Sequence, residues 1–222
     1  MNDQLPVSPR KQRILIVDDH AMIREGLVQL IDRESDLTVC GEAGDAFKAL
    51  ELIESTHPDL VLADLTLPGK SGLELIKDIR VMYPGVAVLV LSMHDETIYA
   101  ERVLRAGARG YIMKQEGGQR LMQAIRRVID GQSYVSERVS AKIVDLFSGK
   151  QSEVSPIERL TDREFEVFQL IGAGKTTKTI AEELHLSAKT VEVHRARIKE
   201  KLQLAAGAEL ISFAARWMET NE

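Results

Sequence analysis

Residues 58–64 read Pro-Asp-Leu-Val-Leu-Ala-Asp, an apolar run that ends in an acidic residue, Asp64. A short continuous apolar run closed by turn residues, as at 66–69 (Thr-Leu-Pro-Gly), is typical of a strand that is buried on both faces. A carboxylate at the end of such a strand is costly to bury without a partner. The stretch therefore predicts a parallel sheet with Asp64 at its edge, and partner groups at other strand ends.

Other apolar runs also end in polar side chains. They supply Asp18 and Asp19 after residues 14–17, Ser92 after residues 86–91, and Lys114 after residues 110–113. Parallel strands place their carboxyl ends at one edge of a sheet, where open α/β folds bind ligands. We therefore expect these side chains to meet Asp64 in one site.

From residue 13 to 131, strand patterns alternate with amphipathic helical patterns. The strands are predicted at 13–17, 37–41, 59–63, 86–91 and 110–113, and the helices at 21–33, 45–56, 72–82, 96–107 and 118–131. Such regular alternation predicts an α/β fold, with five βα units in a doubly wound parallel sheet and right-handed crossovers.

The remaining sequence has a different texture. Residues 1–12 are predicted as a disordered tail, 132–158 as a connector with a helix at 136–147 and a mobile linker at 148–156, and 159–222 as a separate all-α domain with helices at 162–172, 176–184, 187–203 and 206–218. Thr161 and Glu164 have the spacing of a capping box at the first of these helices.

Length and composition exclude several classes of protein. The chain has 222 residues, 44% of them hydrophobic, and a net charge of −5, as expected for a globular protein of two small domains. Its single cysteine, Cys40, predicts a buried structural thiol and excludes disulfide scaffolds and cysteine-rich zinc sites. Because no apolar run is long enough for a membrane helix and residues 1–10 lack a signal core, we expect a cytoplasmic protein with no membrane partner.

The acidic strand ends suggest phosphoryl chemistry. Three neighbouring carboxylates cannot all stay ionised without a cation, and Mg²⁺ prefers oxygen ligands. With a metal bound, Asp64 keeps an oxygen that can attack phosphorus and form an aspartyl phosphate. Lys114 would then neutralise one phosphoryl oxygen, and the Ser92 hydroxyl would donate to another.

The C-terminal part predicts a helix, a tight turn and a second helix that begins after Ser187, a good N-cap. One face of this second helix is predicted to enter the core through Val191, His194, Ile198 and Leu202, and the opposite stripe carries Lys189, Glu192, Val193, Ala196, Arg197 and Glu200. Residues 188–203 hold five basic and two acidic side chains. Residues 155–222 as a whole hold ten basic and eleven acidic side chains, so the positive charge is concentrated on this helix. A locally basic helix in a neutral domain suits a major-groove reader.

Both halves resemble known families. Residues 13–131 resemble the receiver domain of two-component response regulators in Asp18-Asp19, in Asp64 before Leu-Thr-Leu-Pro-Gly, in Ser92, and in Lys114 within Gly-Tyr-Ile-Met-Lys. The C-terminal part resembles the LuxR-type helix-turn-helix in Leu-Thr-Asp-Arg-Glu at 160–164, Ile-Ala-Glu-Glu-Leu at 180–184, Ser-Ala-Lys-Thr-Val-Glu-Val-His at 187–194 and Lys-Leu at 201–202. With the two domains in this order, the chain resembles the NarL/FixJ class of response regulators.

The receiver resemblance implies a flavodoxin-like strand order, 2-1-3-4-5, and phosphorylation of Asp64 from a phosphohistidine on a sensor histidine kinase. Asp19, Asp64 and the backbone carbonyl of Thr66 would hold Mg²⁺, and Asp18 would act mostly through water. Ser92 and Tyr111 would form a switch pair, in which the hydroxyl moves toward the phosphoryl group and the ring turns inward.

One turn departs from the receiver pattern. Residues 69–72 read Gly-Lys-Ser-Gly, whereas many receivers have acidic residues before this last glycine. The departure leaves the lifetime of the phosphate and the preference for a kinase open, and the resemblance implies that Thr66 also tunes dephosphorylation.

The LuxR resemblance implies a set of DNA contacts. Bases would be read by Glu192, Val193, Ala196 and Arg197, and phosphates would lie near Thr177, Lys178, Lys189, Lys199 and Lys201. Glu192 either accepts a hydrogen bond from cytosine N4 or only repels phosphate. We expect promoter DNA as a partner, and a second copy of the chain bound through residues 206–218 in the active form. RNA polymerase is a further candidate partner.

Three other functions compete with this interpretation. An Asp-dependent phosphohydrolase also uses Asp, Ser or Thr, Lys and Mg²⁺, but it usually has Asp-x-Asp at the first strand and a cap insertion, and the chain has neither. A signalling adaptor would use the helical domain only for protein contacts. A small-molecule-sensing LuxR protein is disfavoured because the N-terminal domain of this chain carries the acidic site. We expect a transcriptional regulator that is not an enzyme, apart from self-catalysed phosphorylation and dephosphorylation.

Overall fold

The computed structural model describes residues 10–147 and 156–221. Strands and helices alternate in its first part: β1 (Gln12–Val17), α1 (Ala21–Ile31), β2 (Leu37–Ala43), α2 (Ala46–Thr56), β3 (Leu60–Ala63), α3 (Gly72–Met82), β4 (Ala87–Ser92), α4 (Glu96–Ala106), β5 (Gly110–Met113) and α5 (Gly118–Ile129). Most of the predicted disordered tail and of the mobile linker, at 1–9 and 148–155, lies outside the described residues.

The five strands form one sheet in the order β2-β1-β3-β4-β5, and every neighbouring pair is parallel. This arrangement confirms the predicted α/β class and strand order. Val17 lies beside Ala63, and Ala63 lies beside Val90, so the residues that follow these strands emerge at the same edge. Strands β3 and β4 are buried along their whole length, as expected for central strands covered on both faces.

Cys40 corrects one prediction about strand β2. Ile14 pairs with Val39 and Leu15 pairs with Gly41, so Cys40 is the extra residue of a bulge on this edge strand. Cys40 is therefore only half-buried, with its Sγ 3.5 Å from Thr56 Oγ1. The predicted buried thiol was wrong because the bulge interrupts the alternation of inward and outward side chains.

The remaining helices are α6 (Glu137–Phe147), α7 (Asp162–Gly172), α8 (Thr177–Glu183), α9 (Ala188–Leu202) and α10 (Gly207–Asn221). The predicted capping box is present, since Thr161 and Glu164 bond to each other's backbone amides at the start of α7. In the core of these helices, Trp217 packs edge-on against Phe165 and Phe168.

The chain divides into two compact units. The first contains the residues up to Met93 together with Val103–Val135, and the second contains His94–Arg102 and Ser136–Glu222. Of the helices described in either unit, none is long and apolar enough to cross a membrane.

Candidate functional site

At the carboxyl edge of the sheet, Lys114 lies between two buried carboxylates. Its Nζ donates to Asp18 Oδ2 at 2.6 Å and to Asp64 Oδ2 at 2.7 Å. Asp18 follows β1, Asp64 follows β3 and Lys114 follows β5, so the parallel sheet itself brings the three residues together. Asp18 is 2% exposed and Asp64 is 5% exposed, which makes the ammonium group their main source of charge compensation.

The charge state of Lys114 follows from two opposing effects. Burial lowers the pKa of the ammonium group, but the hydrogen bonds to Asp18 and Asp64 and their negative charges raise it more, so the pKa lies above its ordinary value. Lys114 therefore stays protonated at neutral pH. A fixed positive charge beside Asp64 is suited to hold an incoming anionic group.

The backbone after β3 fixes the position of Asp64. The Leu65 amide donates to Asp64 Oδ1 at 2.6 Å, and the Gly72 amide donates to the Leu65 carbonyl at 2.9 Å. A Cβ atom at Gly72 would lie 2.2 Å from the Asp64 carbonyl oxygen and 2.6 Å from Leu65 Cα. Only glycine allows this close approach. The sequence around Gly72 gave no sign of this role.

We expect Gly72→Ala to cost about 1–3 kcal/mol of stability and to slow phosphorylation, because the turn must move away from Asp64. Gly26→Ala is the matched control: Gly26 lies within α1 with no atom near an added Cβ, so alanine should stabilise the protein by about 0.5–1 kcal/mol. Chemical unfolding measures both. Equal stability of the two variants would contradict the close approach.

The acidic pair at the end of β1 does not cap the helix that follows. The N-cap of α1 is His20, whose side chain makes no capping hydrogen bond. Instead, His20 Nδ1 lies 2.6 Å from Asp19 Oδ1 and 3.4 Å from Asp18 Oδ1. The pair therefore serves the site and not the helix end. His20 joins the site as a residue that the sequence did not single out, although it directly follows the pair.

The residues present fit a hard divalent cation. One ligand atom from each of Asp18, Asp19 and His20 lies within 4.8 Å of the others. Asp64 lies beside Asp18 through their shared bond to Lys114, so the site holds more negative than positive charge. Carboxylate oxygens and backbone carbonyls are the ligands that Mg²⁺ takes. The individual ligand roles of Asp19, Asp64 and the Thr66 carbonyl stay predictions.

The predicted switch pair lies on neighbouring strands. Ser92 is the last residue of β4, and Tyr111 of β5 pairs with Val90 two residues before it. Both side chains are buried, with Ser92 fully enclosed and the Tyr111 ring turned into the protein. The inward ring, which the receiver resemblance associates with the phosphorylated state, is thus present in this structure, and the switching role of the pair stays a prediction.

The residues that depart from the receiver pattern have structural partners. Lys70 forms an ion pair with Asp78 of α3. The Ser71 hydroxyl accepts from the Glu74 amide, and the Glu74 carboxylate accepts from the Ser71 amide, which completes a capping box at the start of α3. These contacts connect the turn to α3, so its unusual sequence has a local structural reason.

Helix α9 presents the predicted DNA-reading residues on its surface. Val191, Ile198 and Leu202 are buried in the core. His194 is half-buried on the same face, and burial lowers the pKa of its imidazole, which supports the predicted packing role. The predicted DNA contacts that the helix exposes are Lys189, Glu192, Val193, Ala196 and Arg197.

Other predicted contacts have partners inside the C-terminal unit. Lys201 Nζ donates at 2.6 Å to Glu164, whose side chain is only 3% exposed. The Thr177 hydroxyl donates to Glu192 Oε1 at 2.8 Å. Lys178 Nζ lies 3.9 Å from Glu182 Oε1, but the Lys178 side chain is 86% exposed. Lys199 is half-buried. The structure thus leaves Lys178 accessible and directs Lys201 toward a buried carboxylate.

Comparisons with known proteins agree with both parts of the chain. Residues 14–126 match the response regulator receiver domain, and residues 158–214 match the bacterial regulatory proteins of the luxR family. The oxygen regulatory protein NreC of Staphylococcus epidermidis is 36% identical over 211 residues, covering 92% of this chain and 97% of that protein. NreC of Staphylococcus aureus is 36% identical over 210 residues with the same coverage.

Solved structures show the same fold. A two-component response regulator of the LuxR family from Aurantimonas sp. is 36% identical, with a TM-score of 0.58 over 62% of this chain and 99% of that one. The RcsB response regulator of Salmonella typhimurium is 23% identical, with a TM-score of 0.69 over 93% of this chain and 98% of that one. At that identity, the likeness to RcsB supports the fold alone.

A receiver-type acidic site on a (βα)5 sheet, followed by a LuxR-type helix-turn-helix, defines a class of proteins: response regulators with a DNA-binding output domain. The chain belongs to this family and is a DNA-binding two-component response regulator. The resemblance to the NarL/FixJ class is confirmed.

Proposed function

We propose that a sensor histidine kinase phosphorylates Asp64 and that the phosphorylated chain regulates transcription by binding promoter DNA through α9. The observation that carries the proposal is the position of Lys114 Nζ, which contacts Asp64 Oδ2 at 2.7 Å and stays charged beside it. Promoter DNA lies in the cytoplasm of a bacterial cell, so this function places the protein there.

The proposed transfer is a single displacement at phosphorus. An Asp64 carboxylate oxygen attacks the phosphorus of the kinase phosphohistidine, an O–P bond forms, and the N–P bond breaks. The electron pair of that bond returns to the imidazole nitrogen, which then takes up a proton. Lys114 Nζ then binds an oxygen of the phosphoryl group that has been transferred to Asp64, and its positive charge balances the added negative charge.

The acidic residues at this edge of the sheet complete the site. Asp19 and Asp64, with the Thr66 carbonyl, would hold Mg²⁺, as the receiver family generally does, and Asp18 would act through water. When bound, the metal supplies positive charge that offsets repulsion between the carboxylates and the incoming phosphoryl group. His20 fixes the Asp19 carboxylate through its 2.6 Å contact.

Phosphorylation would act on the output domain through the buried pair Ser92 and Tyr111. A phosphoryl group on Asp64 offers new acceptor oxygens at the edge where β4 ends, and the Ser92 hydroxyl is the donor at that edge. We propose that this contact stabilises the active arrangement and favours a homodimer on paired half-sites. RcsB has been solved with promoter DNA in the presence of the phosphomimetic BeF3⁻.

The proposal is tested by binding of the full chain to genomic promoter fragments with and without a small-molecule phosphodonor. Fragments enriched only after phosphorylation support it. Binding that depends on neither sequence nor donor would favour the adaptor function instead.

We expect Arg197→Ala to weaken binding to the selected promoter by roughly 10-fold, because an arginine that contacts a base edge contributes about 1–3 kcal/mol. Arg197 is exposed on α9, and its loss should leave phosphorylation of Asp64 unchanged. Arg159→Ala is the matched control, since it removes the same charge from an exposed site before α7. Equal affinity of both variants and the original chain would contradict a reading role for α9.

A further inference from the structure

Glu192 is an acidic residue on the surface that would face DNA. It is exposed in the second turn of α9, between the basic residues Lys189 and Arg197. The N-terminal turns of a recognition helix contact base edges, and the DNA backbone repels any carboxylate that points toward it. A carboxylate at this position therefore weakens binding unless it has a specific donor to meet.

The structure holds the Glu192 side chain in one position. The Thr177 hydroxyl, at the start of α8, donates to Glu192 Oε1 at 2.8 Å. Arg195 Nε lies 3.7 Å from the same oxygen. Among the residues that the structure describes, none donates a hydrogen bond to the second oxygen, Oε2. Glu192 is thus fixed through one oxygen and presents the other as an acceptor.

The major groove offers two kinds of donor to such an acceptor. Cytosine presents its N4 amino group beside the apolar C5 edge, whereas the N6 amino group of adenine lies between two acceptors, adenine N7 and thymine O4. A carboxylate with one available oxygen is repelled by both neighbours of the adenine amino group. It can approach cytosine N4 from the C5 side, where no acceptor lies.

We infer that Glu192 reads a cytosine in each half-site by accepting a hydrogen bond from its N4 amino group, and that Thr177 is the positioning residue for this contact. The inference rests on the proposed function, since it requires α9 to enter the major groove. It also gives Thr177 a role that differs from a contact with phosphate, because its hydroxyl proton is already donated to Glu192.

The decisive variant is Glu192→Gln. The glutamine oxygen can keep the bond from Thr177, but an NH2 donor then replaces the acceptor that faces the base. The experiment selects bound duplexes from a random DNA library with the full chain treated with a phosphodonor. We expect the original chain to prefer cytosine by about 10-fold at one base pair of each half-site, and the variant to lose that preference there alone.

Two further variants distinguish a role in base reading from a general effect on DNA affinity. Thr177→Val keeps the shape of the side chain but removes the hydroxyl, so the cytosine preference should fall at the same base pair while the other positions keep theirs. Glu219→Gln makes the same chemical change at an exposed position of α10 and should leave the selected sequences unchanged. A merely structural role for Thr177 would lower affinity equally for all sequences.

The outcomes distinguish this inference from the proposed function. If the original chain selects no sequence, the DNA-reading function itself fails. If it selects sequences and Glu192→Gln selects the same ones, α9 reads DNA without Glu192, and the inference is overturned. A loss of cytosine preference at one position, shared by Glu192→Gln and Thr177→Val, supports it.

Discussion

Asp64→Asn is expected to abolish covalent phosphorylation. The amide oxygen is a far weaker nucleophile than a carboxylate oxygen, whereas the fold has little to lose. An asparagine can still accept from the Leu65 amide, and Lys114 keeps its second partner, Asp18. Intact-protein mass spectrometry after incubation with a small-molecule phosphodonor should show one added phosphoryl group on the original chain and none on the variant.

Asp130→Asn controls for the change of a carboxylate to an amide, because Asp130 is exposed at the end of α5. It should be phosphorylated like the original chain. The affinity of Asp64→Asn for the promoter should stay the same when the phosphodonor is added. Phosphorylation of Asp64→Asn at the original rate would show that another residue is the acceptor, and Asp18, which shares Lys114 with Asp64, would be the first candidate.

The sequence was sufficient to predict the sheet, because parallel central strands carry a strong signal. The apolar runs that precede Asp64 and Ser92 cannot be anything but buried, and the observed strands lie within a residue or two of the predicted ones. The bulge at Cys40 was not predicted, because a bulge depends on how two strands pair and does not change the hydrophobic pattern of either strand.

The site was predictable to the level of residue types and not to the level of individual contacts. Strand ends that share an edge must bring Asp18, Asp64 and Lys114 close together. The bond from Thr177 to Glu192 and the ion pair of Lys201 with Glu164 join different helices, and such contacts depend on the crossing of helices and the rotamers of long side chains. Periodicity places Lys201 on a basic helix but cannot show that its ammonium group turns inward.

The ion pair between Lys201 and the buried Glu164 is important for the stability of the C-terminal unit. Lys201→Met should destabilise the C-terminal unit by about 3 kcal/mol, because it leaves the buried Glu164 carboxylate without its cation. Methionine keeps the length of the apolar stem. Trp217, the only tryptophan, packs on Phe165 and Phe168 and so reports unfolding of this unit by fluorescence. Lys178→Met is the control, since Lys178 is highly exposed and its loss should change stability little.

The pH dependence distinguishes an electrostatic cause from lost packing. Burial raises the pKa of Glu164, but the hydrogen bonds from Lys201 and Thr161 and the charge of Lys201 lower it more, so the pKa lies below its ordinary value of 4.5. The stability that Glu164 contributes is therefore complete above that value and is lost as the pH falls through the lowered pKa. In Lys201→Met, the hydrogen bond and the charge of Lys201 are lost, so the pKa of Glu164 rises above its value in the original chain. The difference in unfolding free energy between the original chain and Lys201→Met should therefore narrow as the pH falls from the higher pKa of the variant toward the lowered pKa of the original chain. A difference that stays constant with pH would indicate that lost packing is the cause.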